Sequence, residues 1–105
     1  MFEGHTDVVT PGDLSTWHYD PFGAKIVDRR MFGRGTNDTK GNLAAMLIAM
    51  AALKRCGIKL AGTLLGGVLC DEEDQMMGVQ DFIARGYADR VTAAVICEQI
   101  GRAHV

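Results

Sequence analysis

Apolar and polar positions along this chain change their period several times, and each change marks an element. Met1 to Gly4 reads as the last residues of a strand, and a period of two then puts His5 and Asp7 on one side. Pro11-Gly12-Asp13 opens a turn, and a polar and aromatic loop runs on through Trp17 to Pro21-Phe22. Ala24 to Val27 and Met31-Phe32 read as two short strands joined through Asp28-Arg29-Arg30. A glycine-rich stretch leads to Asp38. From there to Cys56 the apolar residues Leu43, Met46, Leu47, Met50 and Leu53 follow helical spacing, and Gly57 supplies the stop. Leu60 to Cys70 is a mostly apolar run with glycines, which predicts a strand buried on both faces. Gly78 to Arg85 predicts a second helix closed by Gly86, and Thr92 to Cys97 another buried strand. Strand, helix, strand, helix, strand is the order of an α/β fold with a mostly parallel sheet and helices on both faces. There is no internal repeat or low-complexity segment.

Composition narrows the picture. A chain of 105 residues is one small domain or a piece of a larger one. Its 48% hydrophobic and 23% charged residues suit a globular core and argue against disorder. With a net charge of −2 and no basic cluster, neither a nucleic-acid nor a membrane partner is expected. The longest apolar run, Leu43 to Leu53, ends at Lys54-Arg55 and is too short to span a bilayer. Cys56, Cys70 and Cys97 show no C-x-x-C spacing. They read as buried reduced thiols, and with no visible signal peptide the expected location is cytoplasmic.

Candidate chemistry follows the predicted strands. In open parallel sheets functional groups gather where strands end at their carboxyl side, and His5, Asp7, Glu72, Glu73 and Glu98 each follow a predicted strand. A metal-bound imidazole usually gives its other N–H to a carboxylate, which an H-x-D pair on one strand face can supply. An isolated H-x-D is more often a surface histidine beside an aspartate. Asp38 sits among glycines ahead of a helix, where alone it would read as an N-cap. Asp71-Glu72-Glu73-Asp74 is either a solvated acidic turn or a pair of roles, one acid binding metal while its neighbour stays free as general base. His18 is a weak catalytic candidate, and Trp17 and Phe22 are expected to pin their loop to the body. Cys70 and Cys97 read as packing residues. Two nucleotide motifs fail: Asp38 replaces the third glycine of G-x-G-x-x-G, and the P-loop pattern is not met around Lys40.

Taken together, Gly4-His5-Thr6-Asp7-Val8-Val9, Pro11-Gly12-Asp13, Trp17, Asp20-Pro21-Phe22, Gly33-Arg34-Gly35, Asp38-Thr39-Lys40-Gly41 and Asp71-Glu72-Glu73 resemble one family in order and spacing. It is the metal-dependent peptidase and amidohydrolase family of acetylornithine deacetylase, succinyl-diaminopimelate desuccinylase, aminoacylase and glutamate carboxypeptidase. The resemblance implies a zinc-exopeptidase-like catalytic domain, incomplete here, with two Zn2+ ions for which Co2+ or Mn2+ could substitute. By the same resemblance His5 binds one metal, Asp38 bridges the two, Glu73 binds the other and Glu98 completes the first. Asp7 would orient His5, and Glu72 would be the general base. Thr39 stands where the family usually has Met, and Gln99-Ile100 stand where it usually has Pro and then Ser or Thr.

That last departure has a mundane reading. Residues Ile100 to Val105 match the translation of a common sequencing-adapter end, ATC GGA AGA GCA CAC GTC. Residues 1–98 are thus expected to be the N-terminal part of a catalytic domain and 99–105 a non-native tail, so His104 is not a missing ligand. A final His ligand, and a lid domain with substrate contacts and often a homodimer contact, would lie elsewhere. The expected chemistry is hydrolysis of an amide in an N-acyl amino acid or short peptide, in the manner of a desuccinylase or deacetylase, with the present segment inactive alone. A dipeptidase or carboxypeptidase of the same family, or a non-catalytic binding protein on the same fold, are the rival expectations.

Overall fold

In the computed structural model, residues 1–98 are described; the expected tail, 99–105, lies outside the described residues. The elements are β1 (Phe2–His5), β2 (Lys25–Val27), β3 (Arg30–Phe32), α1 (Lys40–Arg55), β4 (Gly66–Leu69), α2 (Met77–Ala84) and β5 (Val95–Ile96), with 3-10 turns at Leu14–Thr16 and Ala88–Arg90. β4, β1 and β5 form a parallel sheet in that order, with β1 in the middle. β2 and β3 form a separate antiparallel hairpin. Its two turn residues, Asp28 and Arg29, both have positive φ, 48° and 63°, the geometry whose twist matches a two-residue hairpin. The α/β class with a mostly parallel sheet is therefore present.

Each helix is stopped by a glycine. Gly57 has φ +65°, its N–H reaches the Lys54 carbonyl, and Ile58 N–H reaches Leu53. Gly86 repeats the arrangement, with Gly86 N–H on Ile83 and Tyr87 N–H on Phe82. Both are the paired closing bonds that satisfy otherwise orphaned carbonyls. The two helices lie on opposite faces. A Cβ on Gly4 would meet Leu43 of α1 at 3.4 Å, and one on Gly66 would meet Met50 at 3.1 Å. Glu3 and Leu69, which a period of two directs to the other face, line a small cavity with Met76 and Val79. The connection leaving β1 thus leads to α1 on one face, while that leaving β4 leads to α2 on the other. Adjacent strands whose connections diverge open a crevice at their carboxyl ends.

Several expectations about burial need correction. β4 covers only Gly66–Leu69 of the run 60–70, because its partner β1 begins at Phe2 and the ladder ends where Phe2 pairs with Gly66. β4 and β5 are not buried on both faces: Val68 is 47% exposed, and Val95 and Ile96 are exposed, since both are edge strands among the described residues. Along α1, Leu43 and Met46 are buried and Met50 and Leu53 half-buried, but Leu47 points away from the sheet and is exposed. Cys56 and Cys70 are exposed and Cys97 half-buried; all three are free thiols. Trp17 does pin its loop, donating from Nε1 to the Pro11 carbonyl at 2.9 Å under the Arg34 guanidinium. Phe22 does not, being 66% exposed. Among the described residues no helix is long and apolar enough to cross a membrane.

Gly78 fixes how closely the start of α2 approaches the end of β4. A Cβ there would lie 2.4 Å from the Cys70 carbonyl oxygen and 2.6 Å from its nitrogen, both backbone atoms that cannot rotate away. Gly78→Ala is expected to destabilise the fold by about 1–3 kcal/mol. Gly62→Ala, where a Cβ meets nothing within 4 Å, should change stability by less than about 0.5 kcal/mol. Urea midpoints of the two variants check the contrast.

Candidate metal centre

Four chain segments deliver side chains to the carboxyl end of the sheet. His5 closes β1 and is 1% exposed. Its Nδ1 lies 3.0 Å from the Asp7 carbonyl oxygen, which can only accept, so Nδ1 carries the hydrogen. The tautomer is thereby set and Nε2 is left to face the acids. Nε2 lies 3.1 Å from Asp38 Oδ1, 3.2 Å from Glu98 Oε2 and 3.7 Å from Glu72 Oε2. Asp38 comes from the glycine loop before α1, Glu72 from the turn after β4, and Glu98 from just beyond β5. Ligand atoms of His5, Asp38 and Glu73 lie within 4.8 Å of one another, as do those of His5, Glu72 and Glu98. All six candidate residues are thus brought to one place, while His18 is exposed elsewhere on the loop.

Asp7 meets His5 through its backbone carbonyl rather than its carboxylate, which stands 3.5 Å from Nδ1. That carboxylate instead accepts the Glu73 N–H at 3.0 Å, tying the β1 loop to the acidic turn. The turn itself is divided. Asp71, at φ +64°, accepts the Met77 N–H and so anchors α2, leaving Glu72 and Glu73 to turn toward the imidazole. Asp38 is not an N-cap; Thr39 holds that position, and the Asp38–Thr39 peptide is cis. The Lys40 ammonium donates to the Thr6 carbonyl. A cavity of about 670 Å³ beside the same glycine loop, lined by Phe22, Met31, Arg34 and Lys40 among others, contains none of these acids.

Electrostatics reflect the crowding. Burial opposes protonation of His5, but the Asp38 hydrogen bond, the Glu98 and Glu72 charges and the Asp7 carbonyl outweigh it and raise the imidazole pKa. Burial raises the Glu72 pKa; His5 opposes this, and Glu98, Glu73 and Asp38 reinforce it. Asp7 moves down against its own burial because the N–H groups of Glu73, Glu72 and Asp7 itself stabilise the anion. Glu3, which the sequence reading passed over, is also raised by burial, with Glu98 and Glu72 adding to the shift and His5 opposing it. Its signal was available, since Glu3, His5 and Asp7 share one side by the period of two. Thr39 was missed as a contact: it is fully buried, and its hydroxyl donates to the Cys97 carbonyl.

The donor set fits a divalent cation. A neutral imidazole would aim its Nε2 lone pair at three carboxylates, so a positive charge is needed between them, either a proton or a metal. Imidazole with carboxylates suits zinc, cobalt or manganese.

An open parallel sheet with a histidine and clustered acids at the divergence of two strands defines an α/β domain with a candidate metal centre. The chain belongs to the family described as Peptidase family M20/M25/M40, which matches residues 1–104; that family generally binds metal. It is 41% identical over 95 residues to a probable succinyl-diaminopimelate desuccinylase of Staphylococcus epidermidis, covering 90% of this chain and 24% of that protein. It is 37% identical over 101 residues to the succinyl-diaminopimelate desuccinylase of Rhodospirillum centenum, covering 92% and 26%. A probable succinyl-diaminopimelate desuccinylase of Staphylococcus aureus is 37% identical over 98 residues, covering 93% and 24%. The chain spans about a quarter of the length of these relatives.

A raised His5 pKa has a definite sign in stability. With divalent ions removed by a chelator, its contribution is complete below about pH 6.5, the unfolded imidazole's value, and is lost as pH rises through the higher folded value. Urea midpoints should therefore fall across that window in the chelated protein. His5→Gln should flatten the decline; an unchanged slope would assign it to other groups.

Proposed function

We propose that this segment is the N-terminal part of the catalytic domain of a co-catalytic metallohydrolase that cleaves a linear amide. The observation that carries the reading is the convergence of Asp38, Glu98 and Glu72 within 3.7 Å of one buried imidazole nitrogen. His5 and Glu98 would hold one ion, Asp38 would bridge, and Glu73 would hold the second, for which the family resemblance implies a further His ligand. Divalent ions held by these residues would supply a more acidic bound water and polarisation of the acyl carbonyl. Zinc is the metal the donors favour.

Within that frame the chain's own residues have distinct tasks. Asp7 holds His5 in the Nδ1–H tautomer through its carbonyl and steadies the acidic turn through its carboxylate. Glu72 is the general base: with Glu73 holding metal, its neighbour Glu72, 3.7 Å from His5 Nε2, is the acid of the turn left to take a proton and give it back. It removes the proton of the attacking water and returns it to the departing amine. The substrate class is an N-acyl amino acid or short peptide, and the names of the succinyl-diaminopimelate desuccinylase relatives favour an N-succinyl amino acid. Substrate selection, and any homodimer contact, would lie in a lid domain, as the family resemblance implies.

In the full-length protein Glu72→Gln should retain metal while turnover falls by at least about 10²-fold. Metal content by elemental analysis, together with hydrolysis of succinyl-diaminopimelate, acetylornithine and simple N-acyl amino acids, tests both halves. Retained turnover would remove Glu72 from the base role.

A further inference from the structure

We propose that Thr39 is a positioning residue for the metal centre, and that its hydroxyl sets the spacing between Asp38 and Glu98. The proposal rests on the metallohydrolase reading above. Thr39 occupies the N-cap position of α1, where a threonine ordinarily turns its hydroxyl to the backbone N–H groups of the first helical turn. Here it makes no such bond. Its Oγ1 donates instead to the Cys97 carbonyl at 2.8 Å, a contact spanning 58 positions, and accepts from Asn42 Nδ2 at 3.2 Å. The side chain is 0% exposed, so no water can substitute in either bond.

The two ends of this link are the residues next to the acids. Thr39 follows Asp38, and Cys97 precedes Glu98. The Cys97 N–H is itself held by the Glu3 carbonyl at 2.7 Å, so its peptide groups are fixed on the β1 side by the strand ladder and on the α1 side by Thr39. Without the hydroxyl, the end of β5 keeps its tie to β1 but loses this tie to the loop that carries Asp38. These are the two acids nearest His5 Nε2, at 3.1 and 3.2 Å. Among the described residues this hydrogen bond ties the two neighbouring backbones directly, so the separation of the acids, and with it the ligand geometry, should depend on it. A methionine, expected at this position from the family resemblance, has no hydroxyl to donate. In this chain the link belongs to Thr39.

The test is zinc affinity of the full-length protein, measured by competition with a chromophoric chelator. Thr39→Val keeps the shape and removes the hydroxyl; Thr39→Ser keeps the hydroxyl. Loss of a hydrogen bond made directly to a ligand typically costs about 10–100-fold in metal affinity; this one acts one residue away from each ligand, so Thr39→Val should bind about threefold to tenfold more weakly, with Thr39→Ser close to wild type. A folded Thr39→Val with wild-type affinity overturns the proposal. If Thr39→Val does not fold, Thr39→Ala decides, because it also removes the hydroxyl that donates to Cys97; severalfold weaker zinc binding with Thr39→Ser close to wild type supports the link, and wild-type affinity overturns it. A wild-type protein that binds no zinc removes the metallohydrolase reading and this proposal together, whereas tight wild-type binding with unaffected variants removes only this one.

Discussion

Everything at the carboxyl end of the sheet depends on the orientation of one ring. His5 is buried at the end of the middle strand, and its Nδ1–H is committed to the Asp7 carbonyl two residues on. The remaining nitrogen must then face outward, where Asp38, Glu98 and Glu72 surround it. Such an arrangement is unfavourable for a neutral ring and favourable for a ring that shares a cation with its neighbours. The local backbone decides the tautomer, and the tautomer decides what the acids can be for.

Topology explains why the acids reach that nitrogen from both sides. β1 is flanked by β4 and β5, so the loops after all three strands open at the same edge. The β4 loop brings Glu72 and Glu73, the β5 end brings Glu98, and the long excursion after β1 returns through the glycine loop with Asp38. Gly35 and Gly78 allow the two close approaches. A Cβ on Gly35 would come within 2.7 Å of Val8, and one on Gly78 within 2.4 Å of the Cys70 backbone. Small residues thus set the distances, and the charged residues use them.

The strand ends and the acids after them were legible because two simple rules apply, the period of two and the gathering of function at carboxyl ends. The placement of His5, Asp7, Glu72, Glu73 and Glu98 follows from those rules, while Asp38, which alone reads as an N-cap, joined them only through the family resemblance. Glu3 obeys the first rule as well and was passed over only because it lies inside the strand. Burial was the weak point. Val68, Ile96, Leu47 and Cys70 have the composition of interior residues, yet each is exposed, since burial depends on which neighbours lie alongside and a one-dimensional pattern does not carry that. Thr39 was invisible for a different reason. Its partner carbonyl is 58 positions away, and a threonine before a helix already has a sufficient local explanation in capping.

The crowding of acids also links the centre to the stability of the domain. Burial first, and then the neighbouring carboxylates, raise the pKa values of Glu72 and Glu3, while the acids around His5 raise its own against burial, so the fold draws protons into the centre. In the unfolded chain the same groups are far apart and both effects vanish. A divalent cation held between them would remove the penalty only in the folded state, so its binding free energy would add to folding. Protons and metal would then compete for the same groups: lower pH fills the centre with protons and weakens the metal, while higher pH strips the protons and makes the metal more necessary. A site of this kind is a poor source of stability when empty. It is tolerated because the separate ties of its supports, Asp7 to the Glu73 N–H and Thr39 to the Cys97 carbonyl, hold the acids close together in spite of their charge.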